Sequence, residues 1–447
     1  MNAMMNKALE LIRAQKFHDA RAVMEEMNPV DIAGMFEEMS PEETVMLFRL
    51  LPKEPAAEAF AYMSPEVQEQ VISALTDVEL RGVLDSQFMD DTVDMLEEMP
   101  ASVVKRVLKV TDPDTRHLLN RLLQYEDGAA GSIMTTEYVG LKKGMTVRQA
   151  FARIKKEAVD KETVYTCYVM DDSRLLEGVV AVRELLLAEE GDKIGDLMTE
   201  NPICVETTAS DEEVGRLFQK YDILALPVVD KERRLVGIIT VDDAVDAIQE
   251  ANTEDFEKMA AMEPSETPYL KTSVFVHARK RVVWLLFLMI SGILTGQIIN
   301  HYEDAFAAIP LLVSFIPMLM DTGGNCGSQS STLVIRGMAL GEVSTRDILK
   351  VIWKEARVSL LVGAVLAPVN FFWIFLRYHS APVGLTVALS MYVTVFLSKL
   401  MGCLLPMAAK RCRLDPAIMA SPLITTIVDA CSIFIYFNIA LWILHLS

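Results

Sequence analysis

Histidine is scarce in this 447-residue chain, at six copies, and the six cysteines form no C-x-x-C pair. These absences argue against a zinc ribbon, a His-rich metal centre and a disulfide scaffold. No G-x-x-x-x-G-K-[ST] run occurs, which argues against an ATP-driven pump. The N-terminal "MNAMMNKALELIRAQKFHDA" lacks a long apolar core, so no signal peptide is read there, and the soluble part is expected in the cytosol. Positive charge is also short, with 42 Lys+Arg against 62 Asp+Glu. The deficit is uneven. Residues 1–270 carry 28 basic and 54 acidic groups, whereas 271–447 carry 14 and 8. The chain therefore reads as two objects, an acidic soluble part and an apolar, mildly basic part. The acidic part repels nucleic acid. Its counter-charge could include a divalent cation, although charge counting alone favours a solvated acidic surface.

After Arg281, apolar spans of membrane-crossing length recur at about 282–300, 306–335, 351–376, 384–408 and 416–444. This predicts five helices. Lys and Arg cluster before the first span, between the second and third, and between the fourth and fifth. The other connections hold at most Arg377. By the positive-inside rule the N-terminus is cytosolic and the C-terminus external. Few ionisable groups lie in the spans; Asp321 and Asp429 stand out, with Lys399 nearer the cytosolic end of its span. A carboxylate at membrane depth is a functional candidate because burying it unpaired is costly. Asp321 opens "DTGGNCGSQSSTLVIRG" (Asp321–Gly337), a polar, glycine-rich stretch. Gly323, Gly324 and Gly327 permit close helix packing or a departure from helical geometry. Freed carbonyls and a carboxylate would make a hard oxygen site suited to Mg²⁺ or Ca²⁺.

In the acidic part, residues 28–99 repeat every twelve residues, from "NPVDIAGMFEEM" to "FMDDTVDMLEEM". Asn28, Ser40, Ser64 and Thr76 suit N-caps, and Pro29, Pro41 and Pro65 suit the first helical turn. Stacked short helices of this kind predict a solenoid. "MDDTVDMLEEM" places Asp90 and Asp94 four apart on one helical face. A longer repeat covers 133–249, each copy reading strand, helix, strand, turn, strand, helix. It resembles the CBS-domain family, which occurs in tandem pairs and often senses adenine nucleotides. Ribose-binding members carry a glycine, two aliphatics, Ser or Thr, two residues and Asp. The second copy has Gly237, Thr240 and Asp243. The first has Ala181 and Glu184 where the hydroxyl and the Asp belong. An acidic helix bearing Asp243, Asp246, Glu250, Glu254 and Asp255 then leads toward the apolar part. Carboxylates facing one another across an interface there would repel, and a divalent cation would close it.

The order of helical solenoid, CBS pair, linking helix and five membrane helices resembles the MgtE family of Mg²⁺ channels over essentially the whole chain. Two signatures carry the resemblance: "TGGNCGSQSSTLVIRG" (Thr322–Gly337) and "DPAIMASPLITTIVDACSIFIYF" (Asp415–Phe437). The expected domains are 1–130 solenoid, 131–195 first CBS, 196–250 second CBS, 251–278 linking helix and 279–447 pore. The resemblance implies a plasma-membrane homodimer among lipids, with the pore on its two-fold axis. It assigns Asp429 as the main pore residue for Mg²⁺, with Asn325 and Thr425 flanking it. It assigns Asp90, Asp94, Glu212, Asp222, Asp243, Asp246 and Glu254 as cytosolic Mg²⁺ residues that hold the pore shut. One acidic position that the resemblance expects near Ala251 is not acidic, and Asp243 is claimed by both the Mg²⁺ set and the nucleotide motif. Mg²⁺ is then substrate and regulator, with ATP a candidate regulator at Thr240 and Asp243. The activity implied is transport, not enzymatic. The competing readings are transport of Mn²⁺ or Co²⁺, a non-transporting nucleotide-sensing adaptor, and an intramembrane hydrolase using Asp321 and Asp429.

Overall fold

The structure is a computed structural model that describes residues 2–265, 269–270, 272–302, 309–419 and 421–445. Lys271, the loop acids Glu303 and Asp304, and the first residues of the second expected span (306–308) lie outside the described residues. The chain divides into two compact units, Met1–Ile248 and Gln249–Ser447.

The first unit opens with ten helices: α1 (Asn2–Arg13), α2 (Phe17–Met24), α3 (Pro29–Phe36), α4 (Pro41–Phe48), α5 (Lys53–Ala61), α6 (Pro65–Ala74), α7 (Asp77–Leu84), α8 (Met89–Glu98), α9 (Ala101–Val110) and α10 (Pro113–Leu122). From Phe17 onward every helix starts twelve residues after the last, so the period runs further in both directions than the sequence pattern suggests. Caps keep the beat. The Asn28 side chain accepts from Val30 N, and the Ser40 N–H and hydroxyl both donate to Glu43. Thr76 and Glu79 form a reciprocal box. Ser64 departs from expectation: it holds the N-cap backbone position, but its buried hydroxyl finds no partner, and its N–H donates to Glu37 instead. One apolar face per helix, including Phe36, Leu47, Phe60, Ile72, Leu80 and Val93, fills a continuous core.

Two small sheets follow, and they match the expected repeat. β1 (Gly140–Leu141) pairs parallel with β2 (Thr166–Met170), β2 antiparallel with β3 (Leu176–Ala181), and β3 with β4 (Thr199–Glu200). The second copy repeats this with β5 (Val205–Glu206), β6 (Ala225–Val229) and β7 (Leu235–Thr240). Helices α11 (Val147–Glu157), α12 (Val182–Leu187), α13 (Ile194–Leu197) and α14 (Asp211–Tyr221) flank the strands, and α15 (Val241–Met259) leaves β7 directly. The hairpins superpose in register, Cys167 opposite Val180 and Leu226 opposite Ile239.

The second unit is built on five long helices: α16 (Val274–His301), α17 (Ile316–Ala339), α18 (Ile348–Tyr378), α19 (Ala381–Arg411) and α20 (Ser421–Leu444). Among the described residues, four segments are long and apolar enough to cross a membrane: Val274–His301, Thr345–Tyr378, Ala381–Arg411 and Pro416–Leu444. The expected second span is the exception. α17 has 24 residues, about 36 Å at helical rise, but its glycines, serines and amides dilute its apolarity. On α18, Trp353 and Trp373 are both exposed. The Arg357 guanidinium sits 5.6 Å from the Trp353 ring centroid, and that of Arg377 sits 5.6 Å from the Tyr378 ring.

Candidate functional site

In the second unit, the glycine-rich stretch is not a break. α17 runs unbroken through Asp321–Gly337, so its carbonyls serve the helix ladder and the expectation of freed oxygens is corrected. The glycines buy proximity instead. A Cβ on Gly323 would meet Val428 and Ser432 of α20 at 2.9 Å and Thr394 of α19 at 2.8 Å. On Gly324 it would meet Thr425 Cγ2 at 2.8 Å, and on Gly327 it would meet Ile424 Cγ2 at 2.6 Å. Gly402 of α19 rests on the Gly327 carbonyl. The matched pairs run in opposite senses along α17 and α20, so these helices are antiparallel.

That register sets the candidate pore residues. Asn325 follows the Gly324–Thr425 crossing, and Asp429 lies one turn along α20 from Thr425. Asp321 lies one turn back along α17 and is close enough to Asp429 to act on it electrostatically. Asp321, Asn325, Gln329, Thr332 and Arg336 are all exposed, and their spacing puts them along one side of α17. Asp429 is half-buried. The hydroxyls of Thr425 and Thr426 both donate to the Pro422 carbonyl at 2.9 Å. The structure thus brings Asp321, Asn325, Thr425 and Asp429 to one crossing.

At one end of the crossing pair, α15 meets the C-terminal turn of α17 and the approach to α20. Arg336 Nη1 donates to Asn252 Oδ1 at 2.9 Å. Lys258 Nζ bridges Glu254 Oε1 at 2.5 Å and Asp415 Oδ2 at 2.6 Å. Glu254, expected as a metal residue, is therefore held by an ammonium.

In the first unit an acidic cluster forms around α8. Asp90 is buried, at 6% exposure, whereas Asp94 is exposed. The two are on one helix face by spacing but not in one environment. Burial, with Asp243, Asp91 and Glu162 nearby, pushes the Asp90 carboxyl up to about 9. Burial, then Asp243 and Asp242, raises Asp91 to about 6, and burial, then Asp243 and Asp91, raises Glu162 to about 8. Burial also raises Asp243, against the hydrogen bond it accepts from the Thr240 hydroxyl at 2.5 Å. Asp246 adds to its field. Asp91 and Glu162 escape the sequence pattern. Asp91 is marked only by adjacency to Asp90, and Glu162 lies 71 residues beyond Asp91 on the first CBS copy. Glu212 and Asp222 stand at opposite ends of α14, about 15 Å apart by helical rise, with Asp222 left-handed at φ 50° as its C-cap. They do not meet within one chain. Among the described residues no three of His, Cys, Asp and Glu converge as a ready metal cage.

The comparisons agree along the chain. A family described as divalent cation transporter (MgtE) matches 316–439, the MgtE intracellular N domain matches 8–128, and the CBS domain matches 130–191 and 194–250. The magnesium transporter MgtE of Thermus thermophilus is 35% identical over 440 residues, 97% of each chain. That of Bacillus subtilis is 33% identical over 439 residues, 97% of this chain and 96% of the other. Among solved structures, the soluble part of a magnesium transporter matches 56% of this chain and 99% of its own, at TM-score 0.53 and 28% identity. The cytosolic domain of the Mg²⁺ channel MgtE in complex with ATP matches 54% and 99%, at TM-score 0.51 and 37% identity. A helical repeat, a paired β-α domain and a bundle of membrane-length helices, matched to one family from end to end, make this chain a member of the MgtE family of magnesium transporters.

Proposed function

We propose that two copies of this chain form a Mg²⁺-selective channel that imports Mg²⁺ and is closed by cytosolic Mg²⁺. One observation carries the pore. α17 presents an exposed row of Asp321, Asn325 and Gln329 beside Asp429 of α20, in a bundle whose neighbouring helices are of membrane length. Such a row is tolerated at membrane depth only against water or protein. Facing a second copy, it would enclose a polar path lined by two copies of Asp429. Because both helices are continuous and few groups converge, the ion would keep its water shell, which Mg²⁺ gives up reluctantly. Asn325 and Thr425 would flank that hydrated ion. With the N-terminus inside, the membrane potential favours entry by roughly 4.6 kcal/mol per 100 mV for a divalent ion. α17 is then the fifth span, its polar row turned from lipid.

The gate is read in the acidic cluster. Asp90, Asp91, Glu162 and Asp243 repel one another in a buried setting, and a divalent cation would relieve them where protons otherwise must. Asp94, Glu212, Asp222, Asp246 and Glu254 complete the proposed Mg²⁺ set. An adenine nucleotide would bind the second CBS copy at Thr240 and Asp243. A relative's cytosolic domain in complex with ATP supports this. Transport of other divalent ions is the second reading, favoured by the breadth of the family description. Mg²⁺ uptake by proteoliposomes decides the pore. Asp429→Ala should abolish it, and unchanged uptake would refute the assignment. Competition by Mn²⁺ and Co²⁺ ranks the ions.

A further inference from the structure

Three polar side chains from three helices meet inside the second unit, away from the candidate ion path. The Ser330 hydroxyl of α17 donates to Glu355 Oε2 of α18 at 2.6 Å and accepts from Lys399 Nζ of α19 at 3.4 Å. Ser330 is 1% exposed, Lys399 4% and Glu355 8%. The surroundings of α17 make this bridge unusual. Lys410 Nζ of α19 also donates to the Met338 carbonyl at 3.4 Å, but near the candidate ion path the glycines of α17 pack closely on α19 and α20, as Gly402 does on the Gly327 carbonyl. Smooth contacts of that kind fix how close two helices lie, but they resist rotation and sliding poorly. A hydrogen bond has direction, and a charged partner on each side of one hydroxyl fixes the angle of the helix that carries it.

We propose that Ser330, Glu355 and Lys399 form a positioning clamp that sets the rotation of α17, and through it the orientation of the ion-path side chains. Ser330 and Asn325 are five residues apart, about 140° around the helix axis. A turn of α17 that broke the clamp would therefore carry Asn325 and Asp321 off the crossing with Thr425 and Asp429. Opposite charges account for why both ionisable groups persist at this depth, since either alone would be a buried charge with no counterpart. The clamp rests on the ion-path reading and adds to it that selectivity is maintained from outside the path.

The test uses the full-length protein reconstituted in proteoliposomes, with Mg²⁺ and Mn²⁺ uptake measured in parallel and thermal unfolding followed in detergent. Ser330→Ala should unfold near the wild-type temperature, yet lower the Mg²⁺:Mn²⁺ uptake ratio about tenfold through a misplaced site. Should Ser330→Ala fail to fold, the paired replacement Glu355→Leu with Lys399→Leu decides, because an apolar pair removes the bridge without leaving a lone charge. A wild-type ratio in the variant that folds overturns the proposal. So does a loss of uptake that tracks unfolding temperature while the ratio stays constant, which is the mark of a merely structural bond. Asp429→Ala run alongside separates the two claims. If it leaves uptake intact, the ion path itself is wrong. If it abolishes uptake while Ser330→Ala keeps the ratio, only the clamp is wrong.

Discussion

Asp90→Asn should stabilise the first unit in the absence of divalent cations. A free aspartate titrates near 3.8, and Asp90 in the fold near 9. Between those values the folded protein holds a proton that the unfolded chain has released, so stability falls as pH rises through the window and is fully present only below about 4. At pH 7 the difference amounts to about 4 kcal/mol as an upper bound, at 1.36 kcal/mol per pH unit. Half of that still moves the unfolding midpoint of a unit this size by about 4–8 °C. The assay is scanning calorimetry of the full chain in detergent, in chelator, from about pH 5 to pH 8. The wild type should lose stability steadily across the range, and Asp90→Asn should flatten that slope and melt higher at the alkaline end. Millimolar Mg²⁺ should flatten the wild-type slope too, because the ion replaces the proton as neutralising charge. If Asp90→Asn melts no higher than the wild type at pH 7.5, or if the wild type gains stability with pH, the electrostatic account of the cluster fails.

Other expectations follow from single contacts. Gly327→Ala puts a methyl 2.6 Å from Ile424 Cγ2 and should cost about 1–3 kcal/mol, read as a lower melting temperature of the membrane unit. Thr240→Val removes the hydroxyl on Asp243 and should weaken ATP binding several-fold by equilibrium dialysis; unaltered binding would place the nucleotide elsewhere. Lys258→Met leaves Asp415 without its ammonium, and uptake at high internal Mg²⁺ should rise if that ion pair helps hold the closed state.

Much of this architecture is legible in sequence because its signals are local. Asn28, Ser40 and Thr76 followed by helix-starting residues mark the twelve-residue beat without any tertiary information, and the two strand-turn-strand copies announce the CBS pair. The errors have a common source. Asp321–Gly337 reads as a break because glycine and polar residues are judged alone, whereas in the bundle the glycines are contact points and the polar side chains form one row on an intact helix. Lys350 falls just before the third expected span at 351, but α18 begins at Ile348 and includes it, and Glu355 within that span is turned inward. Asp91 and Glu162 join Asp90 and Asp243 only by folding, across separations that no periodicity spans. Spacing identifies a face; which acids share a dielectric depends on burial.

Trp353 and Trp373 lie twenty residues apart on α18. At helical rise that is about 30 Å, the thickness of bilayer hydrocarbon. Indole rings prefer the headgroup boundary, so this helix acts as a ruler fastened at both ends, and Arg357 beside the Trp353 ring and Arg377 beside the Tyr378 ring tighten the fastening. A thinner membrane would have to tilt α18 or dimple around it, at a cost of fractions of a kcal/mol per ångström of mismatch. Glu355 stands two residues from the lower mark of that ruler. Tilting α18 therefore pulls on Ser330 of α17, and lipid chain length becomes a variable that ion flux should register.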